Sequence, residues 1–395
     1  MSPLQLEFAT RMEGMSGNVI REILKLTQRP DIISFAGGMP SPDSFPTQEI
    51  RRILDEIGDQ FISLLQYATT EGYPPLREFL AGWVADRGIT ATPDEVLILT
   101  GSQQGIDLAC KALLDPDDVV LVERPTYLTA LQVIRMYQAR AVAVHCDEEG
   151  MIPEALAEAI ERHKPKMIYL VPTFRNPSGE TWSLERRRMV AEVAASAGVV
   201  VVEDDPYGVL RYEGEPLPAV KAFDQAGNVI YLGSFSKIIS PGLRVGYAVA
   251  QVDLLRKLVI GKQTTDVHSS NLSQYIVDAF CRSQAFHGHI EAIRSQYRAK
   301  RDRMFAAMEA HFPASTQWTR PHGGLFTWVT APEGVSTTLL LERAVERKVA
   351  FIPGTPFYCD GGGDNMMRLN FSNASFQQID EGIARLGETL QEALR

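Results

Sequence analysis

The sequence predicts an α/β protein: a large domain with a mostly parallel sheet of seven strands, followed by a smaller α+β domain. Three observations support this fold class. At 395 residues the chain exceeds the usual size of a single core. Short β-branched runs, apolar on both faces, alternate with amphipathic helical stretches, as in a sheet covered by helices on both sides. From Trp318 onward, the pattern changes to shorter strands and helices. The seven long-sheet runs span residues 96–100, 119–123, 141–146, 167–172, 199–205, 229–233 and 245–250.

The connections between these runs predict how the strands are oriented. Helical stretches over 154–164 and 184–197 are long enough to cross over between parallel strands. Only eleven residues join the last two runs, which is too few for a helical crossover. We therefore expect one antiparallel strand within the otherwise parallel sheet.

The remainder of the chain predicts a bridge of helices and then the small domain. Three helices follow the sheet, and the last of them is charged and long enough to connect two domains: 254–262, 271–282 and 286–311. The small domain then combines strands over 325–329, 350–353 and 367–371 with helices over 337–348 and 376–394.

The first 45 residues do not fit the large sheet. A helix over 18–27 and an extended segment over 32–35 are expected to lie over the mouth of the functional site and to join the small domain. The predicted division is an N-terminal arm over 1–47, a large domain over 48–300 and a small domain over 301–395.

Composition argues against several functional classes. The net charge of -10 disfavours general binding to nucleic acid or to anionic membranes. Apolar and charged contents of 45% and 22% are typical of a soluble globular protein, and no apolar run is long enough for a membrane helix. The first residues lack the features of a signal peptide, and four scattered cysteines suit a reducing cytoplasm. The seven histidines form no H-E-x-x-H pattern, so no metal site is predicted.

The most informative motif is Gly233-Ser234-Phe235-Ser236-Lys237, which ends a predicted strand seven residues before Arg244. Two hydroxyls and a guanidinium suit a phosphate dianion. An amine beside such a site suits a Schiff base with an aldehyde cofactor. An isolated Ser-x-Ser-Lys would more simply be a solvated loop lysine. Together with Arg244 and the motifs below, it predicts a site for pyridoxal phosphate.

A second phosphate-binding signal is Gly101-Ser102-Gln103-Gln104, between a strand and a helix over 105–114. The N-terminus of a helix presents free N–H groups and a positive dipole end. The motif is not G-x-G-x-x-G, so it does not indicate a dinucleotide site. Alone it describes an ordinary strand–turn–helix, but beside Ser234, Ser236 and Arg244 it forms a second wall for one phosphate.

Acidic residues end the strand over 199–205. Strand alternation points Asp204 away from Glu203 and Asp205. A carboxylate at this edge of an open α/β sheet can keep a pyridine nitrogen protonated, which makes the ring an electron sink. Tyr207, three residues later, can donate to the phenolate oxygen of the cofactor. A solvated or helix-capping acidic pair is the alternative.

Two further motifs also follow strands. Asn176, in Asn176-Pro177-Ser178-Gly179, either belongs to an ordinary turn or donates to the same phenolate oxygen as Tyr207. Tyr127, in Arg124-Pro125-Thr126-Tyr127, can stack on the pyridine ring.

With these motifs, the chain from about residue 20 to residue 394 resembles the fold-type I pyridoxal-phosphate enzymes, specifically the class I/II aminotransferases. The resemblance implies that Lys237 forms the Schiff base and shuttles the proton. It implies that Asp204 pairs with the pyridine nitrogen, and that Arg368, in Met367-Arg368-Leu369, binds the substrate α-carboxylate. Tyr67 would reach the phosphate of a neighbouring subunit in a homodimer. The other implied cofactor contacts are Asn176, Tyr207 and Tyr127 at the ring and Ser102, Gln103, Ser234, Ser236 and Arg244 at the phosphate.

The stretches 20–25 and 34–40 resemble the 2-aminoadipate/kynurenine aminotransferase subgroup, including its bacterial lysine-biosynthesis members. This resemblance implies that Arg21 contacts the side-chain carboxylate of an acidic substrate, and that Gly38 and Asn176 contribute to substrate binding. An exposed helix arginine is the alternative for Arg21. Arg175, where the subgroup often has Gln, is expected beside the cofactor, where it would alter the accepted side chains. Trp182 is an unusually bulky residue after the same turn.

The resemblance implies a cytoplasmic aminotransferase working by a ping-pong mechanism. The expected donors are 2-aminoadipate, glutamate, and aromatic or branched-chain amino acids, and the expected acceptor is 2-oxoglutarate. A β-lyase or decarboxylase on the same cofactor site stays open, because the cofactor supplies the electron sink for all three. A ligand-sensing domain of a transcription regulator is a further alternative; it would need a DNA-binding domain ahead of residue 20.

Overall fold

The computed structural model describes residues 6–12 and 29–395. The predicted helix over 18–27, the stretch 20–25 and Arg21 therefore lie outside the described residues. In chain order, the strands are β1 (Ile33–Ser34), β2 (Val96–Leu99), β3 (Val119–Glu123), β4 (Arg140–Val144), β5 (Cys146–Asp147), β6 (Gly150–Met151), β7 (Met167–Leu170), β8 (Val200–Asp205), β9 (Val229–Ser234), β10 (Gly246–Val249), β11 (Gln317–Trp318), β12 (Phe326–Thr330), β13 (Val349–Ala350), β14 (Ile352–Pro353) and β15 (Met366–Asn370).

The α-helices between the strands of the large sheet follow the predicted alternation of strands and helices. Three further helices of the described residues, which the sequence pattern did not predict, precede β2. In chain order, the helices are α1 (Thr47–Glu56), α2 (Gln60–Leu64), α3 (Pro74–Trp83), α4 (Ser102–Leu113), α5 (Leu128–Met136), α6 (Pro153–His163), α7 (Leu184–Ala197), α8 (Val252–Gln263), α9 (Asn271–Cys281), α10 (Ala285–His311), α11 (Thr337–Glu346) and α12 (Phe376–Ala393).

The large sheet confirms the predicted fold class. Its strand order is β2-β10-β9-β8-β7-β3-β4. Only β10 runs antiparallel to its neighbours among these strands, because the short link after β9 holds a single 3₁₀ turn, Pro241–Leu243. Both faces of the sheet are buried. On β2, Val96 and Ile98 pack in one core, and Leu97 and Leu99 pack in another beneath α4.

A second, antiparallel sheet of order β11-β12-β15-β14 forms in the last quarter of the chain. The prediction of one strand over 350–353 was wrong. The segment splits at the buried Phe351, so that β13 pairs with β1 and β14 pairs with β15. The extended N-terminal segment therefore hydrogen-bonds to the same part of the chain as this sheet, with Ile33 opposite Val349. The domain boundaries at 47/48 and 300/301 stay a prediction.

Helix α4 begins at Ser102, three residues earlier than predicted. Gly101 precedes it with φ of 81° and ψ of 157°, a positive-φ conformation that glycine adopts without strain. Since the helix begins directly after β2, its N-terminal N–H groups lie at the edge of the sheet. Within residues 6–12 and 29–395, no helix has the length and apolar character needed to cross a membrane.

Candidate active site

A cavity of about 340 Å³ opens at the carboxyl ends of the parallel strands, where α/β sheets bind ligands. The predicted motifs meet there because each follows a different strand of the same sheet: Ser102 follows β2, Tyr127 follows β3, and Asn176 follows β7. Twelve of the predicted site residues line this cavity: Gly38, Ser102, Gln103, Tyr127, Asn176, Asp204, Tyr207, Ser234, Ser236, Lys237, Arg244 and Arg368.

Lys237 places its amine at the floor of the cavity. Its Nζ donates a hydrogen bond to the backbone oxygen of Gly38 at 2.7 Å. Burial lowers the pKa of this amine to about 8, and the positive charges of Arg368 and Arg244 act in the same direction. The amine is therefore available as a neutral nucleophile much closer to pH 7 than an exposed lysine.

Asp204 lies on the cavity side of β8. The Tyr169 hydroxyl donates to its Oδ2 at 2.9 Å, while its Oδ1 is buried without a hydrogen-bond partner among the described residues. Burial raises the pKa of this carboxyl to about 7. The Oδ1 atom can therefore accept a hydrogen bond from a protonated ring nitrogen of a ligand.

The two acidic neighbours of Asp204 point to the opposite face of the strand, as alternation predicts. Glu203 accepts from the backbone N–H groups of Val220 and Lys221, each at 2.8 Å. Asp205 forms an ion pair with Arg87 at 2.7 Å. Both carboxylates therefore support the fold, and Asp204 alone of the three faces the cavity.

The side of the cavity suited to a phosphate combines α4 with the turn after β9. Ser102 is the first residue of α4, and Ser234, Ser236 and Arg244 come from the other segment. Arg244 approaches so closely that a Cβ on Gly101 would lie 2.3 Å from its Nη2. Because this atom lies at the flexible end of an arginine side chain, the positive φ is the stronger reason for glycine at position 101.

Arg368 comes from β15 and closes the other side of the cavity. Its Nη1 donates to Asn176 Oδ1 and its Nη2 to the backbone oxygen of Ala36, each at 2.7 Å. The guanidinium carbon lies 4.1 Å from the ring centre of Phe326. Burial lowers the pKa of Arg368 to about 10. Its Nε is buried with no hydrogen-bond partner in the described part of the chain, which suits an incoming carboxylate.

The sequence analysis missed several apolar residues of the cavity. Phe326 packs edge-on against Tyr207, with ring centres 5.8 Å apart, and supports Arg368. Its only signal was its place at the start of a predicted strand. The other missed lining residues are Met39, Ile106, Leu128, Thr129, Val171, Pro206, Pro241 and Ile352.

Two predicted residues do not line the cavity. Tyr67 is 80% exposed and contacts His268 edge to face. The expectation that Arg175 lies beside the cofactor was wrong. Its side chain is buried behind the turn, in an ion pair with Glu180 and a hydrogen bond to Ser178. Trp182, which follows the turn, is fully buried and donates to Glu123.

Comparison with known sequences identifies the family. The sequence model described as aminotransferase class I and II matches residues 31–386. The chain belongs to the class I and II aminotransferases. As such, it is an enzyme that depends on pyridoxal phosphate, and its fold is that of the fold-type I enzymes.

Individual aminotransferases are similar over nearly the whole chain. Aromatic-amino-acid aminotransferase 1 of Thermococcus litoralis is 41% identical over 98% of this chain and 95% of its own. The α-aminoadipate aminotransferase LysN of Thermus thermophilus, solved with N-(5'-phosphopyridoxyl)-L-leucine, is 40% identical with a TM-score of 0.91. The kynurenine aminotransferase of Pyrococcus horikoshii, solved with PMP, is 43% identical with a TM-score of 0.94. Both structural matches cover 98% of each chain.

The residues of the cavity fit this cofactor. The unpartnered Oδ1 of Asp204 suits a pyridinium nitrogen, and the buried amine of Lys237 suits an aldehyde carbon. Ser102 at the N-terminus of α4 lines the cavity together with Ser234, Ser236 and Arg244. Free helix N–H groups, hydroxyls and a guanidinium suit a phosphate group.

Proposed function

We propose that this aminotransferase moves the amino group of an L-amino acid to 2-oxoglutarate in a ping-pong reaction. The proposed donors are 2-aminoadipate, glutamate, and aromatic or branched-chain amino acids. The observation that carries the proposal is the opening of the Lys237 amine, the Asp204 carboxylate and the Arg368 guanidinium into one cavity. The names of the similar enzymes, which refer to aromatic amino acids, α-aminoadipate and kynurenine, support this range of donors.

Each residue has a distinct proposed task. When bound, pyridoxal phosphate links to amines through its aldehyde carbon and accepts electrons from the substrate Cα into its ring. Lys237 would hold the cofactor at that carbon through its Nζ. When the amine of a donor takes its place, the freed Nζ would remove the Cα proton and return it to the same carbon of the cofactor. Asp204 keeps the ring nitrogen protonated, and Arg368 binds the α-carboxylate of the donor. Tyr169, by donating to Asp204, holds that carboxylate in place.

Other residues hold the cofactor without moving protons. Asn176 uses its oxygen to bind Arg368, which leaves its amide N–H₂ for the phenolate oxygen together with the Tyr207 hydroxyl. Tyr127 stacks on the ring. The phosphate is held by Ser102, Gln103, Ser234, Ser236 and Arg244.

The walls around Arg368 suit apolar donor side chains. Phe326 and Ile352 lie next to Arg368, and Met39 and Leu128 also line the cavity, so that together they offer apolar surface to an aromatic or branched side chain. An acidic donor needs an additional cation for its distal carboxylate. Arg21 is proposed for that task on the family resemblance, and Gly38 completes the substrate side with its backbone.

A homodimer in the cytoplasm is also proposed. Large apolar or aromatic side chains are exposed around α2, including Phe61, Ile62, Leu65 and Tyr67. A patch of this kind is typical of a protein interface. Tyr67 is exposed and does not line the cavity of its own chain, as expected for a residue that reaches the phosphate in a second copy.

A panel of amino donors with 2-oxoglutarate tests the proposal. For each accepted donor other than glutamate, whose exchange with 2-oxoglutarate gives no net product, we expect glutamate to form in equal amount to the oxo acid of the donor, with parallel lines in double-reciprocal plots. Release of pyruvate and ammonia, or of carbon dioxide, without any need for 2-oxoglutarate would identify a β-lyase or a decarboxylase and contradict the proposal.

A further inference from the structure

A buried carboxylate fastens both ends of the loop that carries Asn176. Glu123 ends β3 and is 2% exposed. Its Oε2 accepts the backbone N–H of Val171 at 2.7 Å, and its Oε1 accepts the indole N–H of Trp182 at 2.8 Å. Residues 171 and 182 are the two ends of this loop, so one side chain sets where it leaves the sheet and where it returns.

Arg175 connects the tip of the same loop to that carboxylate. It is 4% exposed, and its Nη1 lies 3.7 Å from Glu123 Oε1. Its Nε donates to Ser178 Oγ at 3.1 Å, and its Nη2 forms an ion pair with Glu180. The guanidinium therefore holds the turn from the side opposite to the cavity. Burial raises the pKa of Glu123 to about 7, and Arg175 opposes this rise by favouring the charged carboxylate.

Asn176 transmits the position of this loop to the substrate side. It directly follows Arg175, and its Oδ1 accepts from Arg368 Nη1 at 2.7 Å. Within the described part of the chain, Asn176 is the only side chain that hydrogen-bonds to Arg368; the other contact is the backbone oxygen of Ala36. A shift of the loop would therefore change the orientation of the guanidinium.

We propose that Glu123 and Arg175 are positioning residues of this aminotransferase: they fix the loop over 171–182 so that Asn176 holds Arg368 ready for the substrate carboxylate. The inference rests on the proposed role of Arg368. Neither residue lines the cavity, so neither touches substrate or cofactor. Their effect on the reaction passes through the loop that carries Asn176.

If Arg175 only stabilised the fold, its loss would lower the melting temperature without changing how the enzyme binds carboxylates. A second buried arginine outside the cavity is therefore needed as a control. Arg301 is another buried arginine, 4% exposed, with an ion pair to Glu213 at 2.6 Å and no place in the cavity. Arg175→Gln and Arg301→Gln each remove one buried guanidinium from a carboxylate partner. Both changes are expected to lower the melting temperature of the protein.

The test measures binding of 3-phenylpropanoate, a carboxylate without an amino group, to the cofactor-loaded enzymes by absorbance titration, together with KM and kcat for phenylalanine. We expect Arg175→Gln to weaken binding of the carboxylate about 10- to 100-fold and to raise KM more than it lowers kcat, because a misplaced Arg368 binds poorly. Glu123→Gln should act in the same direction. Arg301→Gln should leave carboxylate binding, KM and kcat unchanged.

Unchanged carboxylate binding in Arg175→Gln, with a melting temperature lowered as in Arg301→Gln, would overturn the positioning role. If Arg175→Gln does not fold, Arg175→Lys serves instead, since it keeps the charge but loses the Nε contact to Ser178. A wild-type enzyme that transaminates no donor would overturn the proposed function. This result differs from equal carboxylate binding by Arg175→Gln and Arg301→Gln, which would overturn only the positioning role.

Discussion

Asp204 and Asp205 are adjacent carboxylates with opposite expected effects on stability and on activity. In the protein without cofactor, burial raises the pKa of Asp204 from 3.8 to about 7. This rise corresponds to a destabilisation of about 4 kcal/mol at pH 8, where the carboxylate is charged. The amide in Asp204→Asn removes that term, but burying its N–H₂ group costs about 1–3 kcal/mol. We therefore expect the variant to gain about 1–3 kcal/mol in the free energy of unfolding at pH 8.

The dependence on pH follows from the same rise in pKa. Between pH 3.8 and about 7, the folded protein holds a proton on Asp204 that the unfolded chain has lost. Stability from this group is therefore complete below pH 3.8 and is lost as the pH rises through about 7. The free energy of unfolding of Asp204→Asn should depend less on pH than that of the wild type between pH 3.8 and about 7. Urea unfolding of the cofactor-free wild type and variant at a series of pH values measures the difference.

Asp205→Asn is the control on the other face of the strand. It leaves Arg87 buried without the carboxylate that now lies 2.7 Å away, so we expect a loss of about 3–5 kcal/mol in the free energy of unfolding. The effects on activity should be the reverse of those on stability: Asp204→Asn should lose activity and Asp205→Asn should keep it. Asp204→Asn should bind cofactor but lose at least about 10- to 100-fold in kcat, because an amide cannot stabilise the pyridinium, and Asp205→Asn should retain activity wherever it is folded. Equal losses of stability in the two variants, or normal turnover in Asp204→Asn, would refute this reasoning.

Three further outcomes are expected. Lys237→Ala should abolish transamination, and it should also abolish the visible absorbance that borohydride removes from the wild type. Normal turnover in this variant would contradict the role of the amine. In the wild type, the rate of cofactor attachment should rise with pH through about 8, because the amine loses its proton there. Arg21→Ala should reduce kcat/KM for 2-aminoadipate about ten- to a hundred-fold and leave phenylalanine unaffected, whereas equal losses would mean that Arg21 does not bind the distal carboxylate. Ile62→Glu, at a side chain that is 78% exposed, should convert the proposed dimer to a monomer in sedimentation and weaken cofactor binding. A wild-type monomer would contradict the proposed dimer, and a variant that stays dimeric would place the interface elsewhere.

The sequence by itself determined the sheet and the chemical groups at its edge. Asp204 lies at the end of a β-branched strand, Lys237 and Asn176 each lie in the loop or turn that follows one, and Ser102 begins the helix that follows another. The carboxyl ends of parallel strands meet at one edge, so the order of strand and polar residue is enough to bring such groups together. Such motifs involve only residues that are close in the sequence, so they can be recognised without knowing how the chain packs.

Only the tertiary structure decided which groups touch one another across the chain. Tyr169 donates to Asp204 from the neighbouring strand, and Phe326 supports Arg368 from an adjacent strand of the other sheet. Arg175 shows the limit most clearly: its place in the sequence beside Asn176 suggested the cofactor, but its side chain points to Glu123 and Glu180. The side to which a turn residue points depends on the buried charges that surround it, because an unpaired guanidinium cannot be buried without a large penalty. Glu180 belongs to the turn itself, but Glu123 lies more than fifty residues before Arg175 in the sequence. No local sequence pattern predicts that Glu123 and Arg175 come together.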